Sequence, residues 1–160
     1  MPSPPRSRVR VARPRWQRRK DARPEEIVSA ALEEFVERGF AATRLDDVAR
    51  RAGVTKGTIY LYFDGKEALF KGMIREMIVP HIALGEQLLA GHKGSAAELL
   101  RAMLGKWWEL IGQTKAAGVP KLVIAEAGNF PELARFYHEE VVMRGSRLVA
   151  QVIERGIAAG

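Results

Sequence analysis

Apolar residues recur at helical spacing along most of this chain. Ile27, Ala31 and Phe35 form a stripe on a first segment. Pro24 opens that segment, Glu25 and Glu26 occupy its first turn, and Gly39 ends it. Leu45, Val48 and Ala49 give a short second segment one apolar face. Ile59 and Phe63, four apart, give a third its inward face and turn Lys56 and Tyr60 outward. A longer run from about Gly65 toward Leu89 contains Pro80, which kinks or breaks it. Ser95 and Glu98 have capping-box spacing and open a helix through about Gln113. Its predicted core stripe is Leu100, Met103, Leu104, Trp107 and Ile111. Pro120 and Pro131 stand as first-turn prolines, and the last helix is predicted from Pro131 to about Gly156. No alternating strand pattern or Asn-Gly hairpin signal competes, so the fold class is all-α.

The punctuation between these segments is most informative from Thr43 to Lys66. Thr43 and Asp46 have the spacing that caps a helix start. Gly53 can take the left-handed conformation that ends the second segment, Val54 enters the core, and Thr55 can cap the third. Gly57 costs about 1 kcal/mol relative to alanine inside a helix. Close approach of another backbone, such as DNA, is a reason to tolerate it. Asp64 and Glu67 repeat the capping spacing. Lys66 then sits in a first turn, where backbone N–H groups and the helix dipole attract phosphate. Two short helices, a tight turn, the aromatic pair Tyr60 and Tyr62 and a lysine make the layout of a helix-turn-helix. Such a motif presents its second helix to the major groove. The competing reading is a helical hairpin in an enzyme core, with both tyrosines as packing aromatics; the length of the run disfavours it.

From Pro24 to about Gly72 the chain resembles the DNA-binding domain of TetR/AcrR-family transcriptional regulators. The residues that carry the resemblance are I-V-S-A-A-L-E-E-F-V-E-R-G-F-A-A-T, V-A-R-R-A-G-V-T-K-G-T-I-Y-L-Y-F and K-E-A-L-F. The remainder resembles that family's ligand-binding domain loosely, chiefly through V-I-A-E-A-G-N-F-P-E-L. The resemblance implies that Thr43, Thr55, Tyr60, Tyr62 and Lys66 contact phosphates. It places Lys56, Gly57 and Thr58 nearest the base edges. No Arg, Asn or Gln faces the groove from the second helix, so Arg44, at the start of the first, is the best remaining groove reader. Much of the specificity then comes from DNA shape.

Charge divides the chain. The whole carries a formal net charge of +7. Residues 1–23 carry nine basic groups and one acidic, 24–72 seven and nine, and 73–160 ten and nine. The basicity therefore resides in the first segment, which also holds four of the eight prolines, Pro24 following directly. Three regions follow: a basic arm over 1–23, disordered alone, a helix-turn-helix domain over 24–72, and a helical ligand-binding and dimerisation domain over 73–160. The arm reads as a tracker of phosphates or a minor-groove contact, or else as a solubilising tail or the product of a misplaced start codon.

Other chemistry is sparse. With no cysteine there is no disulfide, zinc-thiolate site or thiol nucleophile. No apolar run approaches the roughly 18 residues of a membrane span, and no secretory signal is recognisable. The compositional reading is a small cytoplasmic helical protein, and the excess of Arg over Lys, 18 to 8, suggests a GC-rich bacterial genome. His81, His92 and His138 show no i,i+4 pairing, so no metal is expected. No nucleophile elbow, Walker loop or paired catalytic carboxylates points to an enzyme, and no cofactor is expected.

Trp107 and Trp108 project about 100° apart on a helix, so Trp107 fits the core and Trp108 faces a pocket, a partner or solvent. His81, Trp107, Trp108, Ile111, Glu126 and Phe130 are the candidates for a ligand cavity between the long helices, with Asn129 and Tyr137 nearby. The family's regulators usually continue for two more helices that form most of the dimer interface. The C-terminal domain is therefore expected to be truncated and its dimerisation altered.

The functional expectation is a ligand-responsive repressor. It binds a palindromic operator as a homodimer and is released by a small apolar or aromatic effector. Two other readings compete: an effector-free, nucleoid-type nucleic-acid-binding protein, and a helical protein-interaction module with a vestigial helix-turn-helix.

Overall fold

The computed structural model describes residues 24–160, so the basic arm lies outside the described residues. In chain order the helices are α1 (Pro24–Arg38), α2 (Leu45–Ala52), α3 (Lys56–Tyr60), α4 (Lys66–Met77) and α5 (Val79–Gly91). They are followed by α6 (Ala96–Trp107), α7 (Val119–Glu126), α8 (Pro131–Tyr137) and α9 (Met143–Ala159). A wide π turn, Trp108–Gly112, extends α6, and a second, His138–Val142, joins α8 to α9. A tight 3-10 turn, Lys115–Gly118, leads into α7. Every regular element among the described residues is helical, as the periodicity predicts.

The first four helices close around three rings. Phe35 stacks on Phe40 with centroids 5.4 Å apart, and both meet Phe70 edge-on at 5.6 and 5.7 Å. Ile27 and Ala31 from α1, Val48 from α2 and Ile59 from α3 are fully enclosed with them. Burying each large side chain of this kind stabilises the fold by roughly 1.5–3 kcal/mol. The core does not stop at α4: Val119, Leu122, Val123 and Leu133 belong to the same buried cluster. The unit formed by α1–α4, called the head below, therefore rests directly on α7 and α8.

Local signals explain most boundaries. Gly53 adopts φ 70°, and the Val54 N–H closes on the Ala49 carbonyl at 2.9 Å, a left-handed helix end that needs glycine. Thr55 caps α3 by accepting the Thr58 N–H at 3.2 Å. Ser95 and Glu98 form the reciprocal capping box at the start of α6. The run predicted from Gly65 to Leu89 breaks at Ile78, two residues before Pro80, which lies in the first turn of α5.

Two predicted caps do not form. Arg44, not Thr43, is the N-cap of α2, and no side chain caps it. The Thr43 hydroxyl turns back to the Gly39 and Glu34 carbonyls at 2.7 and 3.1 Å, sharing its one proton between them at the buried C-terminal end of α1. Gly65 takes the N-cap of α4, without a side-chain cap from Asp64. Phe63 lies beyond the end of α3, in the turn, so it reaches the core from there rather than along the helix face.

The α6 stripe also differs from expectation. The enclosed anchor of α6 is Leu99, while Leu104 and Trp107 are more than half exposed. All five stripe residues border one cavity, and of them only Ile111 also belongs to the buried cluster.

Candidate nucleic-acid interface and internal cavity

α2 and α3 pack together across the turn at Gly53. Ile59 is fully buried on its inner side. Lys56 is exposed on the outer side, and its ammonium pairs with Asp46 of α2 at 3.2 Å. Tyr60 and Tyr62 are each about half exposed, and Leu61 between them is 78 % exposed. Arg44 is exposed at the start of α2. An added Cβ at Gly57 would touch only the Thr55 hydroxyl, at 3.7 Å. Among the described residues, nothing else would lie within 4 Å of a side chain there.

Three of the predicted contact residues face inward instead. Thr43 is buried and bonded to two carbonyls. Thr58 is buried too, its hydroxyl 3.0 Å from that of Thr55, so it supports the α3 cap rather than meeting bases. Lys66 donates to the carbonyls of Phe40, Ala41 and Thr43 at 2.7, 3.1 and 3.0 Å. An ammonium has three protons, and all three are used. Burial pushes the Lys66 pKa below its ordinary value, with the Glu126 carboxylate acting in the opposite sense. Lys66 is thus a tie for the α1–α2 loop. Thr55 remains at the surface, and because either hydroxyl of the Thr55–Thr58 pair can donate, its proton is available to an outside acceptor.

Leu61 is the exposed residue that the sequence pattern did not single out. A leucine beside a buried isoleucine reads as core until the end of the helix at Tyr60 is known.

Between α5, α6 and α9 lies a cavity of about 360 Å³. Ile82, Leu88, Leu100, Met103 and Leu148 form apolar walls, and His81 and Lys106 also border the cavity. Of the six predicted ligand residues, His81, Trp107 and Ile111 border it. The other three do not. Trp108 lies outside the lining and is more than half exposed, its ring over the backbone of Gly112. Glu126 accepts the Ala41 N–H at 3.0 Å, and Phe130 meets Phe40 edge-on at 4.8 Å. Both face the head because α7 and α8 pack on it.

The profile of bacterial regulatory proteins of the tetR family matches residues 27–73. A profile for the C-terminal domain of AefR-like transcriptional repressors matches residues 98–160. The solved structure of the flavonoid-responsive regulator FrrA is 32 % identical, with a TM-score of 0.57. It covers 85 % of this chain and 68 % of its own. This chain belongs to the TetR family.

Within the TetR family it is similar to the fatty acid metabolism regulator protein of Bacillus subtilis, at 32 % identity over 103 residues. That alignment covers 64 % of this chain and about half, 53 %, of the Bacillus protein. The structure of the transcriptional regulator FadR from Bacillus subtilis, in complex with stearoyl-CoA, superposes with a TM-score of 0.66 at 25 % identity. It covers 86 % of this chain and 73 % of its own. The TetR-family profile spans the three residues turned inward as well as those turned outward, so family membership alone does not separate DNA contacts from ties.

Proposed function

We propose that this protein is a ligand-responsive transcriptional repressor that binds a palindromic operator as a homodimer and is released by an apolar or aromatic small molecule. The observation that carries the reading is the outer face of α3. Lys56, Gly57 and Tyr60 on α3, and Leu61 and Tyr62 just beyond it, are exposed, and no other helix among the described residues covers them. Lys56, Gly57 and Arg44 lie nearest the bases in this reading, while the Tyr60, Tyr62 and Thr55 hydroxyls hold phosphates. Leu61 adds an apolar contact suited to a thymine methyl group.

The cavity supports an effector over an effector-free reading. Its walls are nearly all aliphatic, which suits an acyl chain or a flat ring. The names of two relatives, one solved with stearoyl-CoA and one flavonoid-responsive, point to the same two classes. The homodimer is supported by exposed Val142, Val149, Ile153 and Ile157 on and beside α9, a face suited to a second copy.

Selection of bound duplexes from a random pool tests the reading, followed by release with stearoyl-CoA or a flavonoid. A palindromic consensus, sedimentation as a dimer, release and a raised melting temperature are the expected results. Failure to enrich any duplex at low salt would falsify it.

A further inference from the structure

Two side chains from opposite directions hold the polar groups of one residue, Ala41. Its N–H donates to Oε1 of Glu126, the last residue of α7, at 3.0 Å and across 85 positions of sequence. Its carbonyl accepts from Lys66 of α4 at 3.1 Å, and the Lys66 ammonium also binds the carbonyls of Phe40 and Thr43. Gly39, at φ +83°, completes the cradle: a Cβ there would lie 2.9 Å from the Glu126 carboxylate oxygen. The loop from Gly39 to Arg44 sets where α2 begins, and α2 carries α3. The stretch that ends at Glu126 begins at Ile111 on the cavity wall. Between them the Thr114 hydroxyl donates to the Ile111 carbonyl at 2.9 Å, and Lys115 pairs with Glu33 and Glu37 of α1 at 3.0 and 3.2 Å.

We propose that Glu126 is a positioning residue for DNA reading: its carboxylate holds the α1–α2 loop against α7 and so fixes the placement of α2 and α3. The bond is exposed, but a hydrogen bond accepted by a charged group is stronger than a neutral one. Its loss frees the Ala41 N–H and leaves Lys66 as the side-chain tie from the other direction. The α1–α4 core that holds the head together does not depend on it, because Phe35, Phe40 and Phe70 pack among themselves.

The proposal rests on the DNA-binding reading, and the test separates the two. Duplexes enriched by the full chain serve as the probe for wild type, Glu126→Ala and Glu126→Gln, with amide hydrogen exchange on each protein. Glutamine keeps an acceptor oxygen at Oε1, whereas alanine removes it. In Glu126→Ala, affinity for the selected duplex is expected to fall about tenfold or more. The Ala41 amide should exchange at least about tenfold faster, while the amides of Phe70 and Ile74 keep their protection. Glu126→Gln should restore both properties to within about twofold of wild type, which loss of packing alone would not predict. Unchanged Ala41 exchange in Glu126→Ala, or a Glu126→Gln protein as weak as Glu126→Ala, overturns the proposal. If wild type enriches no duplex, the DNA-binding reading fails, and the exchange data still decide whether Glu126 holds the loop.

Discussion

Phe40 and Phe130 meet edge to face, with centroids 4.8 Å apart and ring planes at 73°. One ring lies just past α1 and the other just before α8, so this pair joins the reading head to the C-terminal helices. Phe130→Ala removes the edge contact and part of the buried cluster. Stability should fall by about 2–3 kcal/mol, less than for a fully enclosed phenylalanine. Binding of an apolar dye in the cavity should persist, because Phe130 does not border it. Chemical denaturation and a dye titration at the same temperature check both halves.

Lys66→Ala should act on stability before it acts on DNA. It leaves three carbonyls without their donor, and a cost of about 2 kcal/mol is expected. The salt dependence of DNA binding should keep its slope, because the ammonium is spent inside the protein. A slope flattened by about one, with unchanged stability, would return Lys66 to the phosphate.

Gly57→Ala should separate fold from function in the opposite sense. The new methyl group has room, with its nearest neighbour at 3.7 Å, and alanine favours helix by up to about 1 kcal/mol. A slightly higher melting temperature with at least about tenfold weaker DNA binding is expected if the methyl group collides with the duplex. Equal affinity would remove close approach at this position.

Acid should loosen the clamp on α1. Hydrogen bonds from Arg51 first, then Lys115, lower the Glu37 pKa from 4.5 to about 2, and Lys115, then Arg51, lower that of Glu33. Both carboxylates are depressed in the folded state, so their stabilising effect is complete above the ordinary carboxylate value. It is lost as pH falls from about 4.5 toward about 2. The Glu33→Gln, Glu37→Gln double variant should lose less melting temperature than wild type over that interval, and melting curves taken across it decide. The pair is exposed, so the difference should also shrink with added salt.

Local chemistry was the most legible, although the caps expected from Thr43 and Asp64 do not form. The Thr55 cap of α3, the Ser95 and Glu98 capping box and the Gly53 turn each involve partners within five residues, and spacing exposes such features directly. The bonds of Lys66 and Glu126 were not legible, because their partners are backbone groups of a loop distant in sequence, and Thr43 turns back to backbone carbonyls at the end of α1. Backbone acceptors carry no signature in the residue types around them. The α6 stripe shows a different limit. Spacing puts Leu100, Met103, Leu104, Trp107 and Ile111 on one face, but the spacing is the same whether that face meets side chains or an opening.

Ile78, at the joint between α4 and α5, belongs both to the buried cluster of the head and to the lining of the cavity. One side chain thus serves two rooms as a common wall. A larger residue would crowd both, and a smaller one would leave slack in both. No substitution there can tune the cavity for a new occupant and leave the footing of the reading head as it was. A change of ligand preference reached through Ile78 would arrive together with a change in how the head is seated.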